Sequence, residues 1–216
     1  MGTYLKEEVQ AEALTRNLPA FSRFLEVMAL QSGEELFLEG IASDVGIQSK
    51  TISNYLEILE DTLLGFKVPA FQETKKRKAI ARSKFYLFDV GVTGFLCERE
   101  IKSIKNDSFG RALEQFIAQE LRAYISYRKL RLPLQYWRSV NQQEVDFVIG
   151  KKAAIEVKAT SKVNSADLKN LKILKEEKLI SHFYLVSMDE KSRISEGVEI
   201  LSVKDFLKQL WENKLF

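Results

Sequence analysis

Three polar residues set into apolar strand patterns carry the chemistry that can be read from this chain: Asp146, Glu156 and Lys158. They lie in the stretch QYWRSVNQQEVDFVIGKKAAIEVKAT, residues 135–160, where two alternating runs, 144–149 and 153–158, are joined by Gly150-Lys151-Lys152. Two strand patterns with a glycine at the reversal predict a β-hairpin. A turn centred on Lys151 sets Asp146 directly across from Glu156, with Lys158 further along the same face. Val145, Phe147 and Ile149 then share the other face with Ile155 and Val157. Cross-strand neighbours stand roughly 4.5–5.5 Å apart at Cβ, close enough for two carboxylates to repel unless a cation lies between them. Mg²⁺ is such a cation: it takes oxygen ligands, usually one or two carboxylates, and leaves its other positions to water and phosphate. It lowers the pKa of a bound water and offsets charge on a reacting phosphate, while a neighbouring lysine holds the water or the phosphate oxygens. The competing reading is an exposed hairpin face whose Glu–Lys pair contributes little.

Asp146 followed by Glu156-Val157-Lys158 resembles the D…ExK signature of the PD-(D/E)xK nuclease superfamily. Gly110-Arg111-Ala112-Leu113-Glu114, Tyr136-Trp137-Arg138, the run 144–149 and the run 155–158 together resemble one group more specifically. It is the C-terminal region that follows an AAA-type ATPase module in many bacterial and archaeal predicted ATPases, where a winged-helix segment precedes a nuclease-like domain. The resemblance extends from Tyr4 onward. It implies an α/β fold: an N-terminal winged-helix module, then a PD-(D/E)xK restriction-endonuclease-like mixed sheet with flanking helices. It implies that Glu114, on the helix before the strands, completes a metal site with Asp146 and Glu156 for Mg²⁺ or Mn²⁺, with Lys158 as the fourth catalytic position. It implies DNA as substrate and an ATPase module in cis. Val145 stands where the superfamily's name has a proline.

No GxxxxGK[ST] loop occurs in the chain, so ATP binding through a P-loop is not expected here. The expectation is a C-terminal portion of a longer ATPase, with Met1-Gly2 as an appended scar. The composition, 45% hydrophobic and 29% charged, is that of a globular chain, and no apolar run of about eighteen residues predicts a membrane span. Met1-Gly2-Thr3 shows no basic-then-apolar leader, and the single Cys97 cannot form an internal disulfide. Both point to a cytoplasmic chain with Cys97 as a small buried apolar residue. The lone His182 lacks a partner at metal-ligand spacing. A net charge of +3 excludes nothing, so the distribution of charge matters more than its sum.

Two modules are expected, 4–105 and 106–216. In the first, helical patterns cover 4–15 and 18–31, the second with an apolar stripe of Phe21, Phe24, Leu25, Met28 and Ala29. A short strand at 35–38 is followed by a short helix ending at Gly46 and a second helix over 50–59, with Ser49 as N-cap and Ile52, Leu56 and Leu59 inward. Two short helices across a glycine turn sketch a helix-turn-helix, with Lys50, Thr51, Ser53 and Asn54 as its nucleic-acid contacts. Glu57, Glu60 and Asp61, which follow, repel phosphate. Strands over 63–71 and 84–88 flank Lys75-Lys76-Arg77-Lys78, the basic tip of a wing suited to phosphates, or a solvated loop blunting a sheet edge. Asp89 is expected to cap the next helix.

The second module opens on a helix over 109–127 with Phe109, Leu113, Phe116, Ile117 and Leu121 buried and Glu114 beside that stripe. Strands over 132–138, 144–149 and 153–158, a helix over 165–175, strands over 182–186 and 198–203 and a helix over 205–215 follow. Arg138 is a further nucleic-acid contact. With Lys151, Lys152, Lys158, Lys162 and Lys169 it clusters in sequence around the proposed site, and Tyr136 and Trp137 are candidates for base stacking, although alternation turns one of the two toward the core. The alternatives are an inactive nuclease fold that presents DNA or a partner to the ATPase, and a purely structural interaction domain.

Overall fold

A computed structural model of the chain describes residues 17–98 and 107–216. The helix expected at 4–15 and the module boundary expected at 105/106 lie outside the described residues. The chain divides into two compact units, whose described parts are 17–67 with 82–98, and 68–81 with 107–216. The two units are therefore not consecutive in sequence: the segment 68–81, expected as the far part of a wing, belongs to the second.

In the first unit, α1 (Leu18–Leu30) begins where Asn17 Oδ1 accepts a hydrogen bond from Ala20 N at 3.1 Å, and Pro19 lies in its first turn. Its predicted stripe is buried throughout. Helices α2 (Leu38–Val45) and α3 (Ser49–Asp61) meet at Gly46, whose φ of 75° is the left-handed conformation that closes a helix. Ser49 is the first residue of α3 rather than its cap: Gln48 takes the flanking position, with no side-chain capping bond. Glu35 forms an isolated bridge with Lys84 in place of the expected short strand. Ile52, Leu56 and Leu59 pack with Phe21, Met28, Ile41 and Phe85 in one core, against which Cys97 is half-buried. Strands β1 (Gly65–Val68) and β2 (Lys84–Leu87) form a two-stranded sheet shorter than predicted. Asp89 caps α4 (Val90–Leu96) as expected, its Oδ1 accepting from Val92 N at 2.7 Å.

The second unit starts with α5 (Asp107–Tyr127), a helix of 21 residues that buries Leu113, Ile117, Leu121 and Tyr124. Phe109 and Phe116, expected in that stripe, are only half-buried. Next come β3 (Leu134–Arg138), β4 (Glu144–Ile149), β5 (Ala153–Lys158), α6 (Lys169–Lys175), β6 (His182–Ser187), β7 (Arg193–Ser195), β8 (Val198–Ser202) and α7 (Val203–Trp211). The six strands form one mixed sheet in the order β3-β4-β5-β6-β8-β7. Strands β3, β4 and β5 are antiparallel neighbours, β5, β6 and β8 run parallel, and β7, which the sequence pattern did not reveal, closes the far edge antiparallel to β8. Parallel strands need a crossover, and α6 supplies the one between β5 and β6. Among the described residues no helix is long and apolar enough to cross a membrane.

The segment 68–81 acts as a strap along the open edge of β3. Ala70 bridges Tyr136 in parallel sense and Ala79 bridges Ser139 in antiparallel sense. Backbone bonds run from Phe71 N to Tyr136 O, Tyr136 N to Pro69 O and Ile80 N to Arg138 O at 2.7–3.0 Å. An edge strand exposes a row of unpaired N–H and C=O groups, and the strap satisfies part of that row. Its tip is pinned by Glu177, whose Oε2 accepts from the backbone N–H groups of Lys75 and Lys76 at 2.9 and 3.0 Å. We expect Glu177→Ala to destabilise the protein by about 1–3 kcal/mol, because two backbone donors lose a charged acceptor. Glu177→Gln, which keeps one acceptor oxygen, should cost less. Urea unfolding of both variants checks this, and equal stability of Glu177→Ala and the wild type would contradict the pinning.

Candidate active site

The hairpin forms as the sequence predicts: Phe147 pairs with Ile155, Val148 with Ala154 and Ile149 with Ala153, around a turn in which Gly150 takes a φ of 50°. Continuing that register by one residue sets Asp146 opposite Glu156. There the ladder is replaced by a side chain, because Asp146 Oδ2 accepts a hydrogen bond from Val157 N at 2.7 Å. The carboxylate thus sits on the β5 backbone one residue past Glu156. On its other side β4 carries an extra residue. Gln135 pairs with Val148 and Trp137 with Val145, so Tyr136 alone faces both Asp146 and Phe147. A bulge of this kind re-aims side chains and shifts the alternation beyond it. Val145, expected on the face of Phe147 and Ile149, packs instead with Trp137, Val148, Ala154 and Leu171.

Glu156 lies in the middle of the sheet, between β4 and β6, with its side chain only 3% exposed. Its Oε1 is 2.6 Å from Lys158 Nζ, while its Oε2 is buried with no hydrogen-bond partner. Burial raises the Glu156 pKa to about 7; Lys158 opposes the rise, and Glu144 and then Glu114 add to it by repulsion. For Lys158, burial works against the charge, but Glu156 and Asp146 outweigh it and hold the ammonium protonated well above its ordinary range. Glu114 is half-buried on α5. One turn before it, a Cβ added at Gly110 would stand 3.7 Å from Ala159 Cβ, which places that part of α5 beside the end of β5.

The predicted residues therefore converge in part. Asp146, Glu156 and Lys158 meet at one end of the hairpin, with Glu114 in electrostatic range. Among the described residues no group of three or more His, Cys, Asp or Glu side chains is drawn together closely enough to hold a metal ion. A site for Mg²⁺ or Mn²⁺ does not need three, since one or two carboxylates are usual. An orphaned, buried carboxylate oxygen beside a second carboxylate is a donor set that fits such an ion. Glu144, to which the sequence reading gave no role, pairs with Arg138 at 3.2 Å across β3–β4 and acts on Glu156 more strongly than Glu114 does. Its position two residues before Asp146 on one strand was the available signal.

Other expected contacts are distributed differently. Tyr136 and Trp137 are both fully buried, Trp137 in a core shared with Phe71 of the strap and Leu171 and Leu174 of α6, so neither can stack on a base. Lys151 pairs with Glu73 at 2.6 Å at the turn, the end of the hairpin away from Lys158. On α3, Lys50 and Asn54 are exposed, whereas Thr51 and Ser53 are half-buried and Ser53 Oγ donates to Ser49 O. Glu57 and Asp61 continue the exposed stripe of Lys50 and Asn54. His182 is exposed and stacks on Tyr184 of its own strand. Asp189, not singled out from sequence, is buried and braces the loop after Lys158, its carboxylate accepting from Val163 N and from Arg193.

Residues 109–206 match a family described as a domain of unknown function, DUF4143, which is typically found at the C-terminus of AAA-type ATPases. Residues 1–103 match another domain of unknown function, DUF8612. No curated protein and no solved structure matches the chain.

The raised pKa of Glu156 fixes the sign of a pH effect. Between pH 4.5 and about 7 the folded state holds a proton that the unfolded chain has released, so stability falls as pH rises through that window. We expect Glu156→Gln to be more stable than the wild type above pH 7, by on the order of 1–3 kcal/mol, with the gain fading below about pH 5. Denaturant midpoints at several pH values test it. A loss of stability at every pH would mean that the Glu156–Lys158 pair is a stabilising ion pair instead.

Proposed function

We propose that the second unit is a metal-dependent phosphodiesterase acting on DNA, of PD-(D/E)xK type, working as the C-terminal portion of an AAA-type ATPase. The observation that carries this reading is the state of Glu156: buried, held by Lys158 through one oxygen and unpartnered at the other, next to Asp146. A fold that buries a carboxylate at such cost without satisfying it leaves a place for a cation.

Asp146 and Glu156 would hold Mg²⁺ or Mn²⁺, with Glu114 as the acid supplied by the helix. The ion's chemistry there is to polarise the phosphate and lower the pKa of a bound water. The chain's own residues do the rest. The bond from Val157 N orients the Asp146 carboxylate, and Lys158, charged at any physiological pH, can hold a phosphate oxygen or the attacking water. The sheet on either side of Glu156 keeps bulk water from its buried oxygen. The first unit, read as a winged helix, would contact DNA or a partner through Lys50 and Asn54.

A second reading, an inactive nuclease fold that binds DNA or protein for the ATPase, draws on the ion pair itself. Lys158 already neutralises Glu156, and no three-carboxylate cluster is assembled among the described residues.

Calorimetric titration with Mg²⁺ and Mn²⁺, alongside plasmid cleavage, separates the two. The wild type should bind metal and nick the plasmid. Asp146→Ala should lose both, with cleavage reduced about a hundredfold or more. Asp146→Asn, which keeps an acceptor for Val157 N, guards against mere misfolding. Absence of metal binding in the wild type would leave the binding module.

A further inference from the structure

The strap that covers β3 carries the basic run 75–78, and its charges are not equivalent. Arg77 is an anchor: its Nη2 lies 2.6 Å from Glu176, its Nη1 lies 3.5 Å from Glu177 and also donates to Ile173 O. The two acids at the end of α6 are thereby held by one arginine and by the backbone donors of Lys75 and Lys76. The Lys76 ammonium rests on a neutral acceptor, the Glu176 carbonyl, at 2.9 Å. Among the described residues no carboxylate pairs with Lys75 or Lys78, and all three lysines are exposed. The charges of Lys75 and Lys78 are thus left without a carboxylate partner at the rim of the sheet, and that of Lys76 is offset only in part by Glu176.

From this tip the strap returns along β3 toward the site. Val140 N donates to Lys78 O at 3.0 Å and Ile80 N donates to Arg138 O at 2.8 Å, so Lys78 stands beside the end of β3 that carries Arg138. Arg138 in turn pairs with Glu144, whose charge is felt at Glu156. A row of cations therefore leads along one sheet edge to the buried carboxylates, on a backbone fixed at both limbs by ladder bonds and at its tip by Glu177.

We propose that the strap is a phosphate-tracking ridge of the nuclease-like unit: Lys75, Lys76 and Lys78 bind the backbone of a nucleic acid and lead it toward Arg138 and the site. Arg77 and Glu177 do not touch the nucleic acid but hold the ridge in place. The choice of occupant rests on the phosphodiesterase reading above. The ridge has the chemistry of sequence-independent binding, with point charges on a fixed backbone and no exposed aromatic beside them, since Tyr136 and Trp137 are buried.

The test is binding of a labelled DNA duplex to the whole chain in the presence of a chelator, followed by anisotropy across a range of salt. Lys75→Gln, Lys76→Gln and Lys78→Gln combined should weaken binding about tenfold or more and reduce the slope of log K against log salt by about 2–3. The substitution of Lys191, Lys204 and Lys208 by Gln, an equal change in charge elsewhere on the unit, should leave the slope unchanged. Circular dichroism should show both variants folded, because the anchors are intact. The ridge is overturned if the first variant keeps the wild-type affinity and slope, or if the wild type binds no duplex. It is equally overturned if a polyglutamate chain binds as tightly through the same lysines, which would mark an acidic protein as the partner. Because no metal is present, failure to cleave DNA leaves a positive result standing. Cleavage with binding unaffected by the three substitutions sinks the ridge and spares the site.

Discussion

A carboxylate in the interior of a β-sheet is the constraint around which the second unit is arranged. Glu156 occupies a position between β4 and β6 where the pattern of neighbours calls for an apolar side chain. Burial there favours the protonated form, and among the described residues the direct compensation comes from the ammonium of Lys158 on the next position of the same face. Asp146 reaches the same place because β4 bulges opposite Tyr136, which turns its carboxylate onto the β5 backbone. Repulsion from Glu144 and Glu114 deepens the imbalance. A local arrangement that opposes its own ionisation is common where a protein tunes groups for chemistry.

Around that point the rest of the unit is scaffold. The parallel strands β5, β6 and β8 are crossed by α6, and its buried Leu171 and Leu174 pack with Val148, Ala154 and Leu185 beneath the hairpin. Asp189 braces the loop that leaves Lys158. The strap closes the edge at β3, where an antiparallel meander would otherwise end in open backbone. Charge in this strap is divided by role: an arginine and two backbone amides satisfy the acids of α6, and lysines remain toward solvent. Guanidinium geometry suits the bridging position between two carboxylates, as a lysine's point charge does not.

Much of the candidate site was legible because strand geometry is periodic. Alternation and one glycine turn were enough to place Asp146, Glu156 and Lys158 together, and the observed register agrees. The helical spacing of α1, α3 and α5 likewise predicted most buried faces, since a 3.6-residue period is written locally. The misses share a cause: each depends on residues far apart in sequence. Alternation turned only one of Tyr136 and Trp137 toward the core, whereas both are buried, because nothing local announces that Phe71 of the strap and the apolar side of α6 close around Trp137. The basic run 75–78 resembled a free wing tip because its partners, Glu176 and Glu177, lie about a hundred residues away.

By itself, then, the sequence determined most of the described elements, the hairpin register and which three polar residues the hairpin brings together, because those follow from side-chain period and turn conformation within a short stretch. Tertiary structure alone decided what those residues feel. Whether Glu156 is solvated or buried, whether its second oxygen finds a partner and which carboxylates repel it depend on strands and helices brought in from elsewhere. The same holds for the strap, whose lysines and arginine have one charge in sequence but different surroundings in the fold. Solvation and Coulomb interaction act through space, so no reading of spacing along the chain could have assigned them.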